Sequence, residues 1–215
     1  MFDIVTTRLT TLSLSVFSEP VDDEALQLSM WEFLGECKVL QKLTLIFCWR
    51  HDNEVVLESV FVHITLPSLR CLALANVNMS ASAYHAFIQN HPLMESLRLI
   101  SGSHNLSTLP PGSFPALRAF ECTAEQELVD LARIGAPLLE ELLIPPEVAS
   151  KLSLFASQEE VHEWPPLLEP FRTTLHRISI MGDDEDVNYP SSWNAVIVDT
   201  VEHSSDYFAA PWDYL

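Results

Sequence analysis

The chain is poor in glycine, with five in 215 residues. A phosphate-cradling loop and a nucleophile elbow both need glycines at fixed spacing, and no G-x-x-x-x-G-K or G-x-S-x-G run occurs. Basic residues are scarce too. Eleven Lys and Arg stand against thirty Asp and Glu, a net charge of −19. Such a surface repels nucleic-acid phosphates and anionic membranes, and no basic stripe stands out along the sequence to offset it. The charged ligand it would steer is a basic protein. No apolar run approaches the ~20 residues of a membrane span.

Cysteine is nearly absent. The four are Cys37, Cys48, Cys71 and Cys122, with no C-x-x-C pair, so a structural zinc site is not expected. Free buried thiols point to a reducing compartment, cytoplasmic or nuclear. The start carries Asp3 and no signal-like apolar stretch, so the sequons at Asn78 and Asn105 read as accidental. Eight histidines are scattered without a catalytic pattern, and His162-Glu163-Trp164 lacks the second histidine of a helical zinc motif. The acidic run 183–186 lacks the spaced ligands and distal glutamate of a calcium loop, and reads as a solvated loop. These absences predict no catalytic residue, no cofactor and no metal. The chain reads as a binder, not an enzyme.

What is present is one recurring pattern: an apolar residue, two others, a leucine-like residue, one other, a leucine-like residue. It reads Leu9/Leu12/Leu14, Leu40/Leu43/Leu45 and Leu69/Leu72/Leu74. Degenerate copies follow at Met94/Leu97/Leu99, Leu117/Phe120/Cys122, Leu139/Leu142/Ile144 and Leu175/Ile178/Ile180. Starts at 9, 40, 69, 94, 117, 139 and 175 are spaced by 31, 29, 25, 23, 22 and 36 residues, in or near the leucine-rich-repeat range of about 20–29. The last two apolar residues of each copy are two apart, which puts both on one face of a strand. No copy can bury that face alone, so the copies must stack.

Helical stripes lie between the strands. Leu26, Met30, Phe33 and Leu34 share a helix face, with Asp22 or Asp23 as cap and Gly35 at the end. Ser80 caps a helix presenting Tyr84, Phe87, Ile88 and His91, stopped by Pro92. Leu128, Leu131 and Ala132 form a shorter stripe closed by Gly135. A further convex helix is expected over 148–161, with the prolines around it marking turns. The expected fold class is α/β: a leucine-rich-repeat solenoid, seven parallel strands on the concave face and helices on the convex face, forming a single domain over 1–215. Cys48 fills a slot that suits the cysteine variant of the repeat.

Residues between and beside the core leucines point to the concave side. The candidate binding residues are Lys42, Thr44, Ile46, Ala73, Arg98, Glu121, Glu141 and Arg177, in rows that extend to Thr123 and Pro145. Three are basic and two acidic, a mild face on an acidic chain. Lys42, Arg98 and Arg177 are the expected anchors, and small residues at Cys71, Ala73 and Ala75 would let a partner's backbone approach.

The ends carry two further expectations. The first repeat begins at Leu9, too early for a helical cap, which favours a fragment of a longer protein over an end covered by a partner. The segment 182–215 has eight acids and no Lys or Arg, with Trp193, Tyr207, Phe208, Trp212 and Tyr214. It reads as a final strand and cap in preference to a docking tail.

Leu-Pro-Ser-Leu-Arg-Cys-Leu-Ala-Leu (66–74), the small-residue helix around Ser80-Ala-Ser-Ala-Tyr-His-Ala-Phe, His-Pro-Leu-Met-Glu-Ser-Leu-Arg-Leu (91–99) and Pro-Pro-Gly-Ser-Phe-Pro-Ala-Leu-Arg (110–118) resemble the repeat region of fungal F-box proteins. The resemblance covers roughly 9–181. It implies that the repeats recruit a substrate protein, and that ubiquitin-ligase components bind only through an F-box upstream of these repeats, a segment not visible before Leu9. The rival expectations are an unrelated scaffold, inhibitor or immune-receptor fragment, and an enzyme on a non-repeat α/β fold with a deep pocket.

Overall fold

The structure, a computed structural model, describes residues 8–16, 23–47, 55–100, 106–152, 164–181 and 197–201. Within them, apolar alternation gives the strands β1 (Thr11–Val16), β2 (Lys42–Phe47), β4 (Cys71–Ala75), β6 (Ser96–Ile100), β7 (Ala119–Glu121), β8 (Glu141–Ile144), β9 (Arg177–Met181) and β10 (Ile197–Val201). They form one sheet in that order, every pair parallel. Two short strands, β3 (Val55–Val56) and β5 (Val77–Asn78), make a separate parallel pair. The solenoid expectation holds. The main sheet has eight strands, not seven, because Ile197–Val201 pairs with β9 as the final strand the sequence suggested.

The convex layer consists of α1 (Asp23–Gly35), α2 (Glu58–His63), α3 (Ala81–Asn90), α4 (Glu125–Ile134) and α5 (Pro146–Lys151), with 3₁₀ turns at Leu106–Thr108 and Pro166–Phe171; α1, α3 and α4 are the expected stripes. Ser80 caps α3 by accepting from the Ala83 N–H, and Gly135 closes α4 at φ 83°, a conformation open to glycine. Two expectations change. His91 lies just past α3, which ends at Asn90. The helix expected over 148–161 is α5, already ended at Lys151; Pro146 sits inside its first turn, where a missing N–H costs nothing. Cys48 and the sites at 183–186 and His162 lie outside the described residues.

Core columns run the length of the sheet. Leu43, Leu72, Leu97, Phe120, Leu142 and Ile178 are paired in register and no more than 2 % exposed. They join the helix faces in one cluster, against which Leu9, Leu12 and Leu14 of the first repeat are partly buried. Each such side chain contributes about 1.5–3 kcal/mol of burial.

The turns repeat as faithfully as the strands. Leu40, Leu69, Met94 and Leu139 each donate a backbone N–H to the carbonyl three residues back, at Cys37, Leu66, His91 and Ala136. Proline at the second turn position (Pro67, Pro92, Pro137) supplies the φ these turns need. One backbone carbonyl per repeat then accepts two N–H groups from the next: Arg70 receives those of Glu95 and Ser96 (2.7 and 2.9 Å), and Glu95 those of Arg118 and Ala119 (2.7 and 3.0 Å). This ladder fixes the register that aligns the concave rows.

Candidate interaction surface

Register places the candidates on two concave rows. One runs Thr11, Lys42, Cys71, Ser96, Ala119, Glu141, Arg177; the next runs Ser13, Thr44, Ala73, Arg98, Glu121, Leu143, Ser179. A third row runs Ser15, Ile46, Ala75 and Ile100. Thr123 and Pro145 leave the expected rows. Strand β7 stops at Glu121, and Thr123 instead bonds Glu127 at the start of α4. Pro145 is the residue preceding α5.

The rows differ in what they offer. Lys42, Glu141 and Arg177 are half-buried. Thr44, Ile46 and Ala73 are 7 %, 2 % and 5 % exposed and form a floor more than a set of projecting contacts. Together with Ala75, Arg98 and Ile100 they line a slight, shallow depression of the sheet face. Arg98 and Glu121 are side by side on neighbouring strands and form a buried ion pair through Nε, with side chains 6 % and 2 % exposed. The small side chain of Ala73, across from Arg98 on β4, leaves room for the guanidinium on this floor. Arg98 is therefore committed within the fold, where the sequence suggested a projecting anchor. Removing one member of such a pair strands a charge at a cost of about 3–5 kcal/mol. The sequence carries one hint of the pair, opposite charges at the same repeat position of consecutive copies, but the cross-strand register that joins them is supplied by the fold.

Asn76 went unnoticed in the sequence. At φ 56° it turns the chain out of β4, its side-chain amide donates to the Phe47 carbonyl at 2.7 Å, and its backbone N–H donates to Ile100 at 3.0 Å. It ties three strands together beside the depression.

The chemistry available is that of contact. Burial pushes the thiols of Cys37, Cys71 and Cys122 above their ordinary range, so each stays protonated and poorly nucleophilic at neutral pH. Among the described residues no group of three or more His, Cys, Asp or Glu is arranged to hold a metal ion, and no helix is long and apolar enough to cross a membrane.

The family model described as FBD-associated F-box protein At5g56370, LRR repeats, matches residues 5–165, well over half of the chain. The chain belongs to this F-box-associated leucine-rich-repeat family. The family name is that of a plant-named member, and it gives no support to the fungal attribution suggested by the motifs. No curated protein matches the chain. Family membership and the parallel sheet agree on the fold, and members of an F-box-associated repeat family are protein-interaction modules.

Proposed function

We propose that this chain is the substrate-recognition part of an F-box-type ubiquitin-ligase adaptor, holding a protein on its concave sheet face and performing no chemistry itself. The carrying observation is the aligned concave floor. Small and buried residues at Thr44, Ala73 and Ala75 admit a partner's backbone, while Lys42, Glu141 and Arg177 stand along one row as polar contacts. Shape and a few anchors of this kind, more than total area, set affinity. The buried thiols support work in the cytoplasm or nucleus.

The test is capture from lysate with the full-length protein that carries these repeats, compared with its Lys42→Glu/Arg177→Glu variant. Captured substrates lost by the variant, together with retained cullin-type ligase components, are the expected result. Capture unchanged by the double substitution ends the concave-face assignment. Capture without any ligase component ends the adaptor reading while leaving an interaction module.

A further inference from the structure

The turns that lead into the strands form a rim along one side of the sheet. Register fixes its columns, because residues three before the aligned Lys42, Cys71, Ser96, Ala119 and Glu141 are themselves aligned. That column holds Val39, Ser68, Leu93, Ala116 and Leu138. Three of them are large and apolar yet 38 %, 50 % and 40 % exposed, among the few exposed large hydrophobics of the described residues. They fall on alternate strands. Between and beside them stand the exposed prolines Pro67, Pro92, Pro115 and Pro137.

The same rim gathers basic charge. Arg8, Lys38, Arg70, Arg118 and Arg172 all lie in these turns and are all exposed. They are five of the eleven Lys and Arg in the chain, and four acids stand beside them: Glu95 and Glu140 in the turns, Glu36 two residues before Lys38 and Glu169 three before Arg172. Glu95, Glu140 and Glu169 pair with Arg70, Arg118 and Arg172, which leaves the rim slightly positive, with Arg8 and Lys38 contributing the excess. In a chain of net charge −19, the rim is a local reversal of sign. It is invisible along the sequence because its members are dispersed over 165 positions, from Arg8 to Arg172.

We infer that this rim is a second interaction surface, whose occupant is an acidic polypeptide segment with apolar side chains about 10 Å apart. Charge complementarity selects the acid. The spacing follows from the alternate strands: two inter-strand steps of about 4.8 Å separate Val39 from Leu93 and Leu93 from Leu138. A segment in the polyproline II conformation, with three residues per turn and a rise of about 3.1 Å, brings an apolar residue at every third position to one face with nearly the same repeat. Main-chain pairing does not supply the affinity here. Prolines have no N–H to give, and the N–H groups of Gln41, Arg70, Glu95, Arg118 and Glu140, at the end of each turn, already donate to the carbonyl ladder of the preceding repeat. Side-chain contacts must carry it.

The experiment measures fluorescence anisotropy of a labelled peptide of five Glu-Glu-Leu triplets titrated with the full chain. A strongly acidic protein repels this probe everywhere except at a surface of reversed sign. The expected result is saturable binding, weakened tenfold or more by Leu93→Ser/Leu138→Ser and by Lys38→Glu/Arg172→Glu, and unchanged by Lys42→Glu on the concave face. All five positions are exposed or half-buried, and thermal melts verify that each variant folds. Absence of saturable binding overturns the inference, as does binding indifferent to the rim substitutions. So does equal loss with Lys42→Glu, which would place the peptide on the concave floor. A dimer in sedimentation equilibrium that dissociates in Leu93→Ser/Leu138→Ser would make the occupant a second copy and overturn the acidic partner.

Discussion

At the scale of single residues, His91 shows how one slot decides a property of the fold. In five consecutive repeats the position three before the leading apolar residue holds Cys37, Leu66, His91, Phe114 and Ala136, all buried. The imidazole works there because its two nitrogens take different roles. Nδ1 donates to the Phe87 carbonyl at 2.6 Å and Nε2 accepts the Leu66 N–H at 2.9 Å, which assigns the neutral Nδ1–H tautomer. It thus bridges two repeats while stacking on Phe87 at 4.1 Å. Burial holds its pKa below the ordinary 6.5, outweighing the backbone bond to Phe87 that pulls the other way. The folded state therefore takes up this proton later than the unfolded one. Its contribution is complete above about pH 6.5 and declines as the pH falls from there toward the lowered folded value, at up to about 1.4 kcal/mol per pH unit. His91→Leu should remove that decline and cost about 1–3 kcal/mol at pH 8, since the Leu66 N–H loses its acceptor. Urea melts at pH 8 and pH 5 check both; an unchanged pH dependence in the variant would refute the assignment. None of this was legible in the sequence. The 3.6-residue period put His91 on the helix stripe with Phe87, the right neighbour, but spacing does not say that a turn one repeat earlier offers an N–H. Arg98 and Glu121 failed for a similar reason. Each was placed on the correct face, but their meeting depends on the register across a 23-residue gap between Arg98 and Glu121, and the carbonyl ladder sets that register.

At the scale of elements, the long helices and the leucine-bearing strands were legible because period and caps agree in them. Ser80 before Tyr84, Phe87 and Ile88 is a start signal with a mechanism, and α3 begins where it predicts. The short elements were not. Glu58–His63 reads Glu-Ser-Val-Phe-Val-His, a β-branched run with no helical stripe, and its helix is settled by packing Val60 and Phe61 against α3, where Phe61 meets Phe87 edge-on at 4.8 Å. Local propensity loses there to burial. Helix α4 starts in a manner its first residues do not announce. Ala124 has no side-chain acceptor, so Glu127 reaches back instead, taking the N–H of Thr123 at 2.6 Å and that of Ala124 at 3.2 Å. This is half of a capping box. Burial raises the Glu127 carboxyl above its usual range, though the two amides oppose the shift. The cap needs an acceptor oxygen more than it needs a charge. Glu127→Ala should lower stability by about 1 kcal/mol and Glu127→Gln by clearly less. Equal losses in denaturant titrations of the two variants would show that packing around the side chain matters and the cap does not.

At the scale of the whole molecule, the total charge was legible and its distribution was not. Composition gives −19, but the stacking of repeats brings five scattered cations to one rim and sets Arg98 and Glu121 against each other on the concave floor. Most of the acids lie outside those turns, and an excess of one sign on a compact body opposes compaction. Among the described residues the exposed ion pairs Arg70–Glu95, Arg118–Glu140, Lys151–Glu125 and Arg172–Glu169 act in the other direction. Pairs so exposed contribute little, with a median near 0–1 kcal/mol. Screening should therefore remove more repulsion than attraction. Raising potassium chloride from about 0.01 to 0.15 M shortens the screening length from about 30 to 8 Å, which leaves contact pairs nearly intact and cuts the long-range repulsion among the acids. The melting temperature should rise over that interval. Neutralising exposed acids outside the rim, Glu32→Gln and Glu147→Gln, should reproduce part of the rise at low salt and flatten the salt response. A melting temperature that falls with salt would mean that the exposed pairs outweigh the net charge, and that the acidity of this surface is no burden on the fold.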